Sequence, residues 1–266
     1  MMMAIVKWTL WQRRWAIFWW SLGIAVLIVL NIGLYPSFHD QSALNQQLQS
    51  LPEAARSLFS DTSDFFSPQG YLSSQIFYLM LPLLLGILTI GLGSSLVAKE
   101  EDSGTLELLL SRPVSRGKLL AAKAFSGLLI ALIVAAVALI SSLVMAKAVN
   151  IGVPLPNIVM ATATTAVLAI LFGALALTIT TLGRSARLAS LGLTALVALG
   201  SYIVTSLSNI AGWLDWPSRL LPYHYFKPGD ILYGQYHWPN LIGLLAAVAV
   251  LMFIAWRAFR RRDLGS

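Results

Sequence analysis

The chain of 266 residues contains no cysteine and only three histidines. The first absence excludes a disulfide framework and any thiolate metal site. The histidines, His39, His224 and His237, form no His-Glu-x-x-His pattern, which excludes that class of zinc peptidase. Charge is scarce as well. Only 11% of residues are Asp, Glu, Lys or Arg, against about 25% in a soluble domain. So few charges cannot cover the surface of a water-soluble fold of this length. No phosphate-binding loop of the form G-x-x-x-x-G-K-[ST] occurs, so the chain has no such site for ATP of its own. Acids and bases are essentially missing from the apolar segments, which argues against a proton-driven transporter.

What the sequence has in abundance is long apolar runs. Trp15–Phe38, Phe65–Ala98, Ala124–Ala146, Ala148–Gly183, Leu188–Leu214 and Ile231–Trp256 carry no formal charge. An apolar helix needs about 20 residues to cross the hydrocarbon core. Six spans are therefore expected, near 16–35, 74–97, 120–145, 158–182, 188–208 and 239–257, in one all-α membrane domain covering 1–266. The first is too long for the apolar region of a secretory signal, and Tyr35-Pro-Ser-Phe-His39 lacks a small-residue cleavage site.

The net charge of +7 is explained by placement, not by a nucleic-acid partner. With both termini in the cytoplasm, the inner side holds Lys7, Arg13, Arg14, Lys99, Arg112, Arg116, Lys118, Lys123, Arg184, Arg187, Arg257, Arg260, Arg261 and Arg262. The outer side holds Arg56, Lys147, Arg219 and Lys227. Fourteen against four is the positive-inside bias, and it sets the orientation. The expected location is the plasma or inner membrane, multi-pass.

Several local features stand out. Trp8, Trp11, Trp15 and Trp19 share one helical face beside Lys7, Arg13 and Arg14. This fits an amphipathic helix along the inner headgroups, or an aromatic belt with orientation charges. The first outer loop, Pro36–Leu72, is acidic, with Leu44, Leu48 and Leu51 at helical spacing and a turn-rich Ser67-Pro68-Gln69-Gly70; it reads as a solvated connector more than a gate. Pro82 lies inside the second span and removes one backbone hydrogen bond there, which neighbours must replace. Gly173, Ala174, Ala176, Gly192, Ala195, Ala198 and Gly200 give spans 4 and 5 small surfaces for close packing, within the bundle or across a dimer. Between spans 5 and 6, Ile210–Pro239 is rich in aromatics and broken by Pro217, Pro222 and Pro228. It reads as a re-entrant or interfacial helical hairpin, with Trp213, Trp216, Tyr223, Tyr225 and Phe226 as a candidate outer gate.

The densest charge lies in KEEDSGTLELLLSRPVSRGK, Lys99–Lys118, with eight charges in twenty residues. Asp102, Ser103 and Thr105 can cap a helix, with Glu107 in its first turn. Leu106, Leu109 and Leu110 make an apolar face that Leu108 extends. Arg112 suits the helix end and Pro113 stops it. Ser115 can cap the next helix, which runs through Lys118 and Lys123. A short cytoplasmic helix with a leucine face and charges of both signs fits a protein groove better than an anionic leaflet. Glu100-Glu101 does not match the paired glutamates of intramembrane proteases, since Asp102-Ser103-Gly104 follow at the membrane edge.

The pattern of Glu100, Glu101, Gly104, Thr105, Leu106, Glu107, Leu109, Leu110, Pro113, Val114, Ser115, Arg116 and Lys123 resembles the signature of ABC type-2 permeases, the membrane subunits of ABC exporters. The arrangement of N-terminal helix, six spans and aromatic hairpin resembles that family along the whole chain. The resemblance implies that the Lys99–Lys118 segment is a coupling helix docking on a separate ATPase, present in two copies, which would bind ATP and magnesium. The chain would then be a transport subunit without its own ATPase site or cofactor. It would pair with a second permease, identical or related. An apolar path with an aromatic rim implies a hydrophobic or amphipathic cargo such as a drug, peptide antibiotic or lipid. The alternative is a non-transporting scaffold or sensor that recruits a cytoplasmic ATPase through the same helix.

Overall fold

The computed structural model describes residues 2–38, 52–59, 64–65, 67–98, 115–183, 187–208 and 210–261. Among these the fold is all-helical. Six helices are long and apolar enough to cross a membrane: Arg14–Ser37, Pro68–Ser95, Arg116–Ala148, Leu155–Leu182, Arg187–Ser208 and Trp238–Arg261, here spans 1 to 6. Five of the expected spans fall inside these helices, and the second, 74–97, runs two residues past the end of Pro68–Ser95, which itself begins six residues earlier than expected. Span 3, with 33 residues, is about 50 Å long at 1.5 Å per residue. It exceeds a core of about 30 Å, so its charged start stands beyond the hydrocarbon. Arg116, Arg187 and Arg257–Arg261 mark one basic end of the bundle. The opposite end carries the 210–238 connection.

The spans do not share the interior equally. Spans 2 and 4 have 67% and 61% of their apolar windows buried, against 33% for span 3 and 17%, 17% and 11% for spans 1, 5 and 6. Small residues account for the central pairing. A Cβ added to Gly93 would stand 2.2 Å from the Gly173 carbonyl oxygen, and one on Gly173 would stand 2.9 Å from Thr89 Cβ. No larger residue fits that crossing. In lipid, close approach and interhelical hydrogen bonds hold helices together, since the solvent is itself apolar. Thr89 supplies one, donating to the Ala169 carbonyl at 2.6 Å. Ser190 of span 5 donates to Ala176 at 2.6 Å, and Thr178 of span 4 to Leu251 of span 6 at 3.0 Å. Other buried hydroxyls return to their own helix: Thr162, Thr165 and Thr180 donate to carbonyls four residues back. Span 4 therefore carries many threonines without leaving their donors unpaired.

Spans 1 and 3 pack together through Ile24, Ile28, Ile32, Ile130 and Val134. The N-terminal helix Met2–Gln12 is separated from span 1 by a break at Arg13, and it also packs on span 3. Trp8, Trp11, Trp15 and Trp19 all lie exposed, and Trp8 stacks on Trp11 at 5.6 Å. Arg13 donates to Ser95 Oγ at 2.8 Å, tying this junction to the end of span 2. Spans 3 and 4 reverse through Asn150 and Gly152, both at positive φ.

Two local expectations change. Ser67–Gly70 reads as a turn, but it is the capped start of span 2. Ser67 Oγ accepts from the Gly70 amide at 3.0 Å, and Pro68 occupies the first turn, where its missing N–H costs nothing. A side chain at Gly70 would strike the Asp64 backbone. The first outer loop is also more than a solvated connector: its helix Glu53–Phe59 is docked on span 5. Leu44, Leu48 and Leu51 lie outside the described residues.

Candidate functional site

Span 2 is not one regular helix. Its start, Pro68–Leu72, passes into a π turn at Ser73–Phe77, and a regular helix resumes at Met80. Leu79 carries the break, with φ −125° and ψ −53°. Pro82 explains its position. In a continuous helix residue 82 would donate to the carbonyl of Tyr78, and proline has no N–H. The Tyr223 hydroxyl, from the connection between spans 5 and 6, donates to that carbonyl instead. Membrane helices keep prolines where a neighbour makes this substitution.

The same donor sits in a tyrosine cluster. Tyr78, Tyr202 and Tyr223 meet edge-to-face, with ring centroids 5.7 Å (Tyr78–Tyr202) and 5.4 Å (Tyr202–Tyr223) apart. Phe226 adds a fourth ring at 5.4 Å from Tyr223. The polar edges are also matched. Tyr78 and Ser206 share a hydrogen bond of 2.7 Å, and the Tyr223 amide donates to Ser201 Oγ at 2.9 Å. The Tyr202 hydroxyl donates to the Leu58 carbonyl, bringing in the loop helix Glu53–Phe59. One cluster thus joins span 2 at its break, span 5, the first outer loop and the 210–238 connection.

That connection comprises four short helical pieces: Gly212–Leu214, Asp215–Ser218, Pro222–Tyr225 and Pro228–Leu232. It divides the five candidate gate residues. Tyr223 and Phe226 are buried at 4% and 3% exposure, whereas Trp213 and Trp216 stand out at 77% and 70%. Tyr225 is on the exposed side and donates to the Arg219 carbonyl at 2.8 Å. Hence the five do not form one aromatic plug: two anchor the connection and three line its outside. A second anchor holds the far end, where Asn157 of span 4 donates to the Leu232 carbonyl at 2.9 Å and accepts from the Tyr236 hydroxyl at 2.5 Å. His224 shares a hydrogen bond of 3.1 Å with Ser218. Burial, and then Lys227, hold its imidazole below the ordinary range; Asp215 opposes this and Arg219 adds to it.

At the basic end, Glu100, Glu101, Gly104, Thr105, Leu106, Glu107, Leu109, Leu110, Pro113 and Val114 lie outside the described residues. Ser115 occupies the N-cap of span 3 with extended backbone, φ −66° and ψ 144°, but its hydroxyl makes no capping bond. Arg116 begins the helix. Lys123, two turns on, is buried at 4% exposure. An ammonium is kept at such depth only when matched by an anion or by acceptors. Among the described residues no three His, Asp or Glu side chains gather as metal ligands.

Sequence reasoning overlooked Tyr78, Tyr202, Ser201, Ser206 and Asn157. Counting four residues back from Pro82 would have marked the Tyr78 carbonyl. No local signal reveals that the donor comes from Tyr223.

Comparison with individual curated proteins returns no match. Comparison with protein families matches residues 16–264 to the family described as ABC-2 family transporter protein. The match spans all six membrane helices and both ends of the bundle. The chain belongs to the ABC-2 family of transporter proteins and is a multi-pass membrane protein.

Proposed function

We propose that this chain is the membrane-spanning subunit of an ATP-driven exporter, coupled through Lys99–Lys118 to a separate ATPase. The observation that carries the reading is the mixed-charge, leucine-faced segment between spans 2 and 3 in a chain of the ABC-2 family. The positive-inside bias supports a cytoplasmic basic end, where an ATPase would reach this segment.

Two copies, or one copy with a related partner, would surround a central path. The poorly buried faces of spans 1, 5 and 6 support such an assembly. Gly192 and Gly200 of span 5 have none of the described residues within 4 Å of an added Cβ, leaving a surface that another helix can approach. Span 2 is the mechanical link. Its regular part, Met80–Ser95, leads towards the coupling segment, and its other end is gripped at the break by Tyr223. Displacement at the basic end would pass along this rod to the π turn and the tyrosine cluster. Swinging an inward–outward equilibrium from 1:99 to 99:1 takes about 5.5 kcal/mol of differential interaction. That requires a well-fitted contact with the ATPase. The apolar bundle and the exposed Trp213 and Trp216 support a cargo of hydrophobic or amphipathic character.

Co-purification of the tagged full-length chain from native membranes tests the reading. An ATPase subunit at one copy per permease, with ATP-dependent movement of apolar dye in vesicles, is expected. A complex that hydrolyses ATP and moves no cargo would replace the exporter with a scaffold or sensor.

A further inference from the structure

Two adjoining cavities lie near the basic end, and no part of the proposed transport cycle uses them. The first is an apolar slot of about 330 Å³. Its floor is the span 2–span 4 crossing at Gly93 and Gly173, and its walls include Ala124 and Leu128 of span 3 and Val248 and Met252 of span 6. The slot falls within the size range of small-ligand sites, about 300–1,000 Å³. Its one hydroxyl, Thr89, already donates to Ala169, so the slot asks for no polar partner. The second cavity is a cup of about 490 Å³ lined by Arg116, Lys118, Trp256 and Arg260, with Met2 and Gly117. Ala121 lines both, so one opens beside the other.

Spans 3 and 6 close on each other at the cup. A Cβ on Gly117 would stand 2.8 Å from Trp256 Nε1, and the Arg260 guanidinium lies 4.5 Å over the Trp256 ring. Beyond this neck, towards the membrane interior, the two spans leave the slot between them. Among the described residues every acid, Glu53, Asp64, Asp215 and Asp230, belongs to the opposite end of the bundle. Among the described residues, the charged side chains of the cup are thus Arg116, Lys118 and Arg260 beside one apolar cleft, and a tryptophan stands at the boundary, where its amphipathic ring suits the headgroup level.

We propose that the slot and cup form one site for an anionic phospholipid of the cytoplasmic leaflet. An acyl chain lies in the slot against Gly93, Gly173 and Leu128, and the phosphate sits in the cup between Lys118 and Arg260. Basic pockets between membrane helices on the cytoplasmic side recognise such headgroups by charge. A free anion would use only the cup, and a helix from a second copy would bring no phosphate to the cations. The site is independent of the export reading and requires only that the basic end faces the cytoplasm.

Native mass spectrometry of the purified full-length chain, titrated with phosphatidylglycerol or phosphatidylcholine of equal chain length, tests it. Wild type should retain phosphatidylglycerol about tenfold better. The exposed pair Lys118→Gln/Arg260→Gln should erase this preference with an unchanged Tm. Ala124→Leu, which narrows the slot, should weaken retention of both lipids. Glycerol phosphate, the headgroup without a tail, should not displace the bound lipid. Equal retention of the two lipids by wild type, an undiminished preference in the double variant, or full displacement by glycerol phosphate would overturn the proposal.

Discussion

Spans 2 and 4 and spans 1, 5 and 6 are comparably apolar, yet the first pair is about two-thirds buried and the other three are mostly exposed. In water, greater burial would go with greater hydrophobicity. In lipid that link is lost, because an exposed leucine and a buried one have similar surroundings. Spans 2 and 4 are instead distinguished by where their small and hydroxylated residues fall. Gly93, Gly173 and Thr89 occupy one crossing, and Ser190 and Thr178 attach the neighbouring spans. Span 5 has glycines too, but Gly192 and Gly200 face open space. The same residue type is thus a packing determinant in one helix and an unoccupied surface in another.

The largest test of this contrast sets Gly93→Val beside Gly192→Val. At Gly93 the new side chain meets backbone, and the overpacking should cost about 3 kcal/mol. At Gly192 it meets none of the described residues within 4 Å, and the change should stay within about 0.5 kcal/mol. Unfolding in mixed detergent micelles measures both. Similar losses at the two sites would break the comparison.

A smaller effect is expected at the hairpin end. Tyr223→Phe removes the donor to the Tyr78 carbonyl beside Pro82 and should cost about 1–2 kcal/mol. Pro82→Ala supplies a backbone N–H to the same carbonyl. The double variant should therefore recover most of the loss, a coupling that a thermodynamic cycle detects. Purely additive effects would mean that hydroxyl and proline are unrelated. Thr89→Val, which loses one interhelical hydrogen bond, should cost only about 0.6 kcal/mol, near the average for such bonds.

Much of the architecture was legible because lipid imposes a length rule. Six uncharged runs can be counted, and each of the six long helices coincides with most of one run. Pro82 was legible as a break, since its missing N–H is a property of the residue. Its remedy was not, because Tyr223 is 145 residues away from Tyr78. The core pair was also illegible: hydropathy scarcely separates span 2 from span 6, and only the crossing geometry does. Among the candidate gate residues, aromatic identity could not tell Tyr223 and Phe226, which anchor, from Trp213 and Trp216, which project. Ser67–Gly70 was mistaken for a turn because Ser-Pro and Gly mark turns and helix starts alike. The Lys99–Lys118 segment is legible in the sequence from its residue types, and a coupling role for it is a proposal.

The smallest expected effect concerns pH at the hairpin end. His224 is held below its ordinary value near 6.5. Above that value it is neutral whether the connection is docked or not, and docking is at full strength. As pH falls below it, the undocked connection takes up the proton first and docking weakens. The loss levels off once pH passes the lowered native value. Intrinsic fluorescence of Trp213 and Trp216, followed from pH 8 to pH 5, should show this slope. His224→Gln should flatten it, and an unchanged slope in that variant would assign the effect to another group.

The most direct test of the coupling account is ATP hydrolysis by the reconstituted permease–ATPase complex with wild-type chain and with Leu110→Asp. A charge on the leucine face should abolish stimulation of the ATPase while the variant inserts and folds with a wild-type Tm. An ATPase that binds the variant and is stimulated to the wild-type rate would contradict it.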